Sequence, residues 1–244
     1  MKFLKKIILI LCVLAISALY MSCTKETPHI ATAVTELSNS ATVQVFSATV
    51  KAARNYVYVD GVPVSGALLA QGGVFPATAY SFKVNAGSRS ITIRDTLRTT
   101  TQVPLTFTQT MEGGKSYTIF TYDTITSTKQ ATVLNNIIVP TDTSSRLRFA
   151  NFIYNTAPVP NVDVYSFRKG PAAPVFANVA TNQVTDFIPY PSGQTDTLYV
   201  YAAGTTSPLI VKQLVPSLVQ TRSYTSAYNG SFRGTKAVTT FATY

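Results

Sequence analysis

The chain has 244 residues, of which 46% are hydrophobic and only 12% charged, and its formal net charge is +10. That length makes one large or two ordinary domains. The charges are scattered, which excludes disorder driven by a charged block, and Thr, Val, Ala, Ser and Tyr dominate, which favours strands over helices.

The chain opens with a short basic head, Met1 to Lys6, followed by a 14-residue, almost wholly apolar run from Ile7 to Tyr20 and then Met21-Ser22-Cys23. A basic start, an apolar stretch of this length and a small residue before the cut predict a secretory signal peptide over residues 1–22. The run falls short of the roughly 20 residues that a ~30 Å hydrocarbon core requires. Leu19 to Cys23 resembles a bacterial lipoprotein signal. That resemblance implies cleavage before Cys23 and a diacylglycerol on its sulfur, so the membrane is the expected partner through lipid on Cys23. Cys12 would leave with the signal, making Cys23 the only thiol of the mature chain and ruling out an intrachain disulfide. Losing Lys2, Lys5 and Lys6 leaves 17 basic and 10 acidic residues.

Residues 23–39 are polar, carry Pro28 and show no period, so they read as a lipid-anchored tether. Lys25-Glu26 resembles a surface-export signal of some outer-membrane systems. The expected location is therefore the bacterial cell envelope, as an outer-membrane lipoprotein with a candidate place on its surface. His29, the only histidine, lies in this tether and is expected to be solvated.

From residue 40 the pattern is short strands and turns. Thr42 to Val45 alternates and opens the first unit. Tyr56-Val57-Tyr58-Val59 follows, with the valines on one face and the tyrosines on the other, and Asp60-Gly61-Val62-Pro63 is the turn. Tyr80 to Val84, Ser90 to Arg94, the stretch around Leu105 and Phe107, Tyr117 to Tyr122 and Ala131 to Ile138 complete seven predicted strands. Spacing of this kind without helices indicates an antiparallel β-sandwich over residues 40–140.

After the polar, Pro140-started linker the pattern restarts and fills residues 145–244. Leu147-Arg148-Phe149 stands for Val43-Gln44-Val45, and Val162 and Val164 for Val57 and Val59. Ser192-Gly193 stands for Ala86-Gly87, Leu198-Tyr199-Val200 for Ile91-Thr92-Ile93, and Arg222 to Thr225 for Lys115 to Thr118. The offsets are 104, 105, 106, 107 and 107, a drift that small loop insertions produce. The expected fold is all-β: two tandem antiparallel immunoglobulin-like β-sandwich domains, each with its own core and separable near residues 140 to 144.

These strands resemble a known family, domain of unknown function 4397. The resemblance rests on Tyr56 to Gly61, Asn85-Ala86-Gly87 and Gly114-Lys115-Ser116-Tyr117-Thr118 in the first copy. In the second it rests on Val162-Asp163-Val164-Tyr165, Pro191-Ser192-Gly193 and Arg222-Ser223-Tyr224-Thr225. It implies an exported, often lipid-anchored and often tandem β-domain without an assigned activity.

The chemistry-bearing motifs are few. Glu112 to Ser116 imitates a phosphate loop, but Gln109 stands where a Walker loop has Gly, and a strand follows instead of a helix. Asn229-Gly230-Ser231 spells a glycosylation site, yet Asn-Gly between strands reads first as a hairpin turn. The ten carboxylates are single and mostly at turns, and no metal-ligand set exists, so no catalytic residue, metal or cofactor is expected. The expected role is structural or binding, adhesion-like. The alternative from another class is a surface glycan-degrading hydrolase or its accessory binding module.

Candidate binding residues are outward tyrosines, Tyr56, Tyr58, Tyr199 and Tyr201, and the arginines Arg89, Arg94 and Arg98. Arg146, Arg148, Arg168 and Lys169 gather near the start of the second unit and could present cations on a sheet face. The expected partners are envelope or extracellular polysaccharides or proteins. No nucleic-acid motif accompanies the charge, so no specific nucleic acid is expected.

Overall fold

The computed structural model describes residues 39–78 and 80–244. The signal peptide, Cys23, His29 and the tether up to residue 38 lie outside the described residues. Every described element is a strand. The first half holds β1 (Ser40–Ser47), β2 (Asn55–Val59), β3 (Val62–Pro63), β4 (Val74–Phe75), β5 (Phe82–Asn85), β6 (Gly87–Asp95), β7 (Leu105–Met111), β8 (Ser116–Tyr122) and β9 (Lys129–Leu134). The second holds β10 (Ser145–Tyr154), β11 (Val162–Ser166), β12 (Phe176–Val179), β13 (Gln183–Val184), β14 (Ile188–Tyr190), β15 (Asp196–Ala202), β16 (Val211–Val215), β17 (Ser223–Ser231) and β18 (Lys236–Ala242).

Each half is a sandwich of two sheets. One sheet runs β4-β1-β8-β9, with β5 also on β1, and the other β3-β2-β6-β7. The second half repeats this strand for strand: β13-β10-β17-β18 with β14 on β10, and β12-β11-β15-β16. The expectation of two all-β sandwiches therefore holds, with two refinements. Each half has nine strands rather than seven, because pairs of residues such as Val62–Pro63 and Val74–Phe75 form short strands inside segments that read as loops. The sheets are also not wholly antiparallel: β1 pairs β8 in parallel, as β10 does β17. A parallel pair needs a long crossover, and here the connection is the rest of the sandwich.

The turn chemistry follows the residues. Asp60 and Gly61 both take positive φ, 50° and 82°, in a two-residue turn between Val59 and Val62. That is the turn whose twist suits a hairpin, and Asp-Gly tolerates it. Asn229-Gly230-Ser231, by contrast, is not a turn: it ends β17, and Asn229 is buried. Gly230 sits at φ +103°, where a Cβ would stand 2.4 Å from the Thr235 carbonyl oxygen. The glycine is required by close approach of backbone rather than by a tight turn.

Two of the three apolar clusters lie inside the sandwiches. Val43, Val45, Val57, Ile91, Ile93 and Ile119 form the first, and Leu147, Phe149, Val164, Leu198, Val200 and Tyr228 the second. The register corrects one sequence equivalence. Val57 pairs Ile93 and Val164 pairs Val200, so Val57 matches Val164, two residues on from the expected Val162. Tyr58 therefore matches Tyr165, and Tyr56 matches Asp163.

The third cluster joins the halves. Phe46, Ala48 and Phe120 from one half pack with Ala150, Phe152, Ala227 and Phe241 from the other. The β1-containing sheet therefore packs face to face with the β10-containing sheet, and the described residues form one compact unit of four stacked sheets. Both faces of β1, β8, β10 and β17 are covered, and their burial is nearly continuous.

Equivalent positions are complementary in size. Val43, Tyr117 and Leu134 align across one sheet as Leu147, Tyr224 and Ala242 do across the other. On that register Phe46 matches Ala150, Phe120 matches Ala227, Ala48 matches Phe152 and Val133 matches Phe241. A large residue thus has a small counterpart in each of the first three pairs. Phe46 stacks on Phe241 with centroids 5.0 Å apart, and Phe120 on Phe152 at 4.6 Å. Each stack takes one ring from each half, an arrangement that adds to the area it buries.

We expect Phe152→Ala to cost about 3–5 kcal/mol in chemical denaturation, because it opens a cavity between rigid sheets. A loss under about 1 kcal/mol would show that the halves do not stabilise each other through these rings.

Acid should unfold the first half from the two ends of β6. Burial pushes the Asp95 carboxyl up, but the Leu97 amide, the Arg54 guanidinium and the Thr100 hydroxyl together hold it below the usual carboxylate value. The Arg89 guanidinium and then the Ser90 amide hold Asp60 low. Lowered folded values mean stability that is present above the unfolded value near 3.9 and lost as pH falls through the folded value. Thermal melts from pH 7 to pH 2 should drop below about pH 4, and less steeply for Asp95→Asn.

Candidate functional site: a tyrosine cleft on the outer sheet

The outer sheet of the second half presents aromatic side chains in register. Along β11 and β15, Val164, Leu198 and Val200 point to the core, so alternation sends Tyr165, Tyr199 and Tyr201 to the other face. Tyr165 pairs with Tyr199 across the strands, and its ring meets Tyr201 edge-on at 5.8 Å. Tyr199 in turn pairs with Lys212 on β16. The turn after β11 adds Phe167, 71% exposed, with Gly170 and Pro171. With Ser166 and Thr206 these residues line a cleft of about 340 Å³.

A buried carboxylate holds the turn. Asp196 accepts from the Arg168 amide at 3.1 Å, the Thr197 amide at 2.6 Å and the Ser166 hydroxyl at 2.5 Å, and also from the Tyr190 hydroxyl. The Lys169 amide donates to the Ser166 oxygen at 3.0 Å. Burial, first, and the bond to Asp196 push the Tyr190 phenol well above its ordinary value. Asp163 plays the same part at the other end of β11, accepting the Asn178 amide at 2.7 Å and the Gly204 amide at 2.8 Å. These buried carboxylates orient loops around the cleft: Asp196 lies on the core side of β15, and Asp163, opposite Tyr201, is spent on its two amides.

The equivalent place in the first half is already covered. Tyr58 stands for Tyr165, and Arg94 for Tyr201. The Arg94 guanidinium lies over the Tyr58 ring at 4.5 Å from its centroid. Tyr56 pairs with Arg94 on the neighbouring strand.

The remaining predicted residues are not brought together. Arg89 binds Asp60 at 2.9 Å and the carbonyls of Asn85 and Ala86, so it clamps a turn. Arg98 is exposed on the loop between β6 and β7, away from the partners of Arg89. Lys169 donates to the Pro189 carbonyl and sits over Tyr190. Arg148, expected to present its charge on a sheet face, is on a face that the other half covers, and is 2% exposed. Among the described residues no group of three His, Cys, Asp or Glu side chains is placed to hold a metal ion.

Sequence reading found Tyr199 and Tyr201 but missed Tyr165, Phe167 and Pro171. The signal was present: Tyr165 follows two core valines at alternate positions, so its outward direction was readable. The pairing that places it beside Tyr199 was not.

Fold and cleft together define an all-β protein of two like sandwiches with one open aromatic cleft on the second. Residues 41–165 match the family described as domain of unknown function (DUF4397), just over half of the chain, and the chain belongs to that family. The matched segment spans the first sandwich and runs through β10 to Tyr165. A search of curated proteins finds no match.

If the cleft is an open surface and not part of the core, Tyr201→Ala should cost less than about 1 kcal/mol of stability in denaturant melts. A cost comparable to that of a core aromatic would make the cleft a packing feature.

Proposed function

We propose that the protein is a lipid-anchored binding protein of the bacterial cell envelope, and that the tyrosine cleft of its second sandwich holds a neutral extracellular polysaccharide. One observation carries the binding reading. Tyr165, Tyr199 and Tyr201 stand together on an outer face where the matching tyrosine of the first half is capped by Arg94. Rings left open beside hydroxyls of Thr206 and Tyr199 suit a pyranose, whose C–H face is apolar and whose edge is polar. The lining is mostly aromatic with few polar groups, the usual make-up of a small-molecule site. Strand pairing places Lys212 beside Tyr199 and Asp163 beside Tyr201, charges of opposite sign, which favours a neutral chain over an acidic one.

Anchoring rests on the sequence: the apolar run, Ser22 and Cys23. Several acyl chains hold far more firmly than one, at about 0.8 kcal/mol per buried CH2.

Two measurements test the reading separately. Mass spectrometry of the membrane fraction should find a mature chain beginning at an acylated Cys23, and Cys23→Ala should leave that fraction. A Cys23→Ala protein that stays there defeats the anchor. Affinity electrophoresis through neutral glycans should show retardation that is insensitive to salt and weakened at least tenfold by Tyr165→Ala. Retardation only by acidic polymers, lost as the screening length falls toward about 8 Å, would instead favour the arginines.

A further inference from the structure

Between the halves, beside the closing strand β9, lies a second groove with a charged floor. Its volume is about 230 Å³, and Val133, Leu134, Ile138 and Phe187 give it apolar walls. Arg148 lines it and is 2% exposed. Its Nε donates to the Thr225 hydroxyl at 2.9 Å and its Nη2 to the Thr118 hydroxyl at 3.1 Å, one threonine from each half. Phe187 covers the guanidinium face at 4.6 Å from its centroid. These contacts account for two of the three nitrogens, leaving Nη1 with no partner among the described residues. No carboxylate pairs with this cation among the described residues. The acid in its lining, Asp186, is exposed and forms no ion pair among the described residues. Arg146, also at the rim, is engaged by Asp142, Ser144 and the Ser145 carbonyl.

A buried cation without a counter-charge is costly, and proteins normally pair it. Burial pulls the Arg148 pKa down to about 9, which still leaves it charged at neutral pH. A structural tie between two threonines would not need a guanidinium. The matching residue in the first half, Gln44, makes its own tie to the Ala242 carbonyl at 2.8 Å without charge.

We propose that this groove binds a small organic carboxylate with an apolar tail. The carboxylate would take the free Nη1 donors, and the tail would lie against Leu134, Ile138 and Phe187. One guanidinium with one free nitrogen suits a monoanion. A phosphate dianion would leave its second charge without a buried cation to meet it.

The test is calorimetric titration of the full chain with benzoate, and in parallel with inorganic phosphate. Benzoate should bind saturably with a dissociation constant near or below about 1 mM. Arg148→Leu should weaken it at least tenfold. That variant should still fold, because Thr118 also bonds Asn135 and Thr225 also bonds Thr243. Ile138→Glu, at an exposed position that belongs to neither sandwich core, should weaken benzoate by charge repulsion alone and serves where Arg148→Leu does not fold. Absence of saturable benzoate binding up to about 20 mM, or unchanged binding in both variants, would overturn the proposal and make Arg148 a structural tie. Tighter binding of phosphate than of benzoate would overturn the assignment to carboxylates.

Discussion

The packing of the two inner sheets against each other constrains everything else in this protein. It requires β1, β8, β10 and β17 to be buried on both faces, whereas a sandwich sheet ordinarily leaves one face to solvent. Equivalent strands from two copies of one unit would meet with equal residues opposite each other. Identical large rings at every position would overfill the space, and identical small ones would leave voids. The chain resolves this by alternating size between copies, Phe46 against Ala150 and Ala48 against Phe152 in matching positions. Two sandwiches with separate cores are thereby made into one unit.

The same constraint explains the polar residues at that interface. Gln44 and Arg148 occupy matching positions and each reaches into the other half, the one to a backbone carbonyl and the other to a hydroxyl. Buried polar groups are tolerable when bonded. Some atoms here are not: Gln44 Oε1 and Ser47 Oγ are buried without partners. An interface with orphaned polar atoms gives up some stability, and the aromatic stacks offset that loss.

Much of the fold was legible because side-chain alternation in strands does not depend on what lies beyond the sheet. Val43, Val45, Ile91 and Ile93 read as core residues, and they are core residues. What alternation cannot report is the fate of the other face. Gln44, Thr118, Arg148 and Thr225 are polar, so they read as a solvated side, yet all four are buried by the second sheet pair. The interface and the Arg148 groove were hidden for this reason. The two-residue offset between Val57 and Val164 had a similar origin. A Val-x-Val pattern fits either register by sequence, and only the pairing with Ile93 and Val200 decides it. For the cleft, Tyr199 and Tyr201 were readable from one strand, but a cleft needs a neighbour, and strand order is not written in local pattern.

The inner faces, then, are bound to each other, and the outer faces are not. A substitution at Phe152 must be answered at Phe120, because the rings touch. Among the described residues no such partner restrains the outer sheets, where the two copies differ in chemistry: Arg94 over Tyr58 on the first, Tyr201 against Tyr165 on the second. Function that arises on one copy alone can arise there without unmaking the fold. The fold holds its loops through buried acceptors such as Asp163 and Asp196, so the exposed rings between them can change while the backbone stays put. An aromatic cleft on the second outer sheet is thus the kind of site this architecture permits, and the packing of the inner sheets is what permits it.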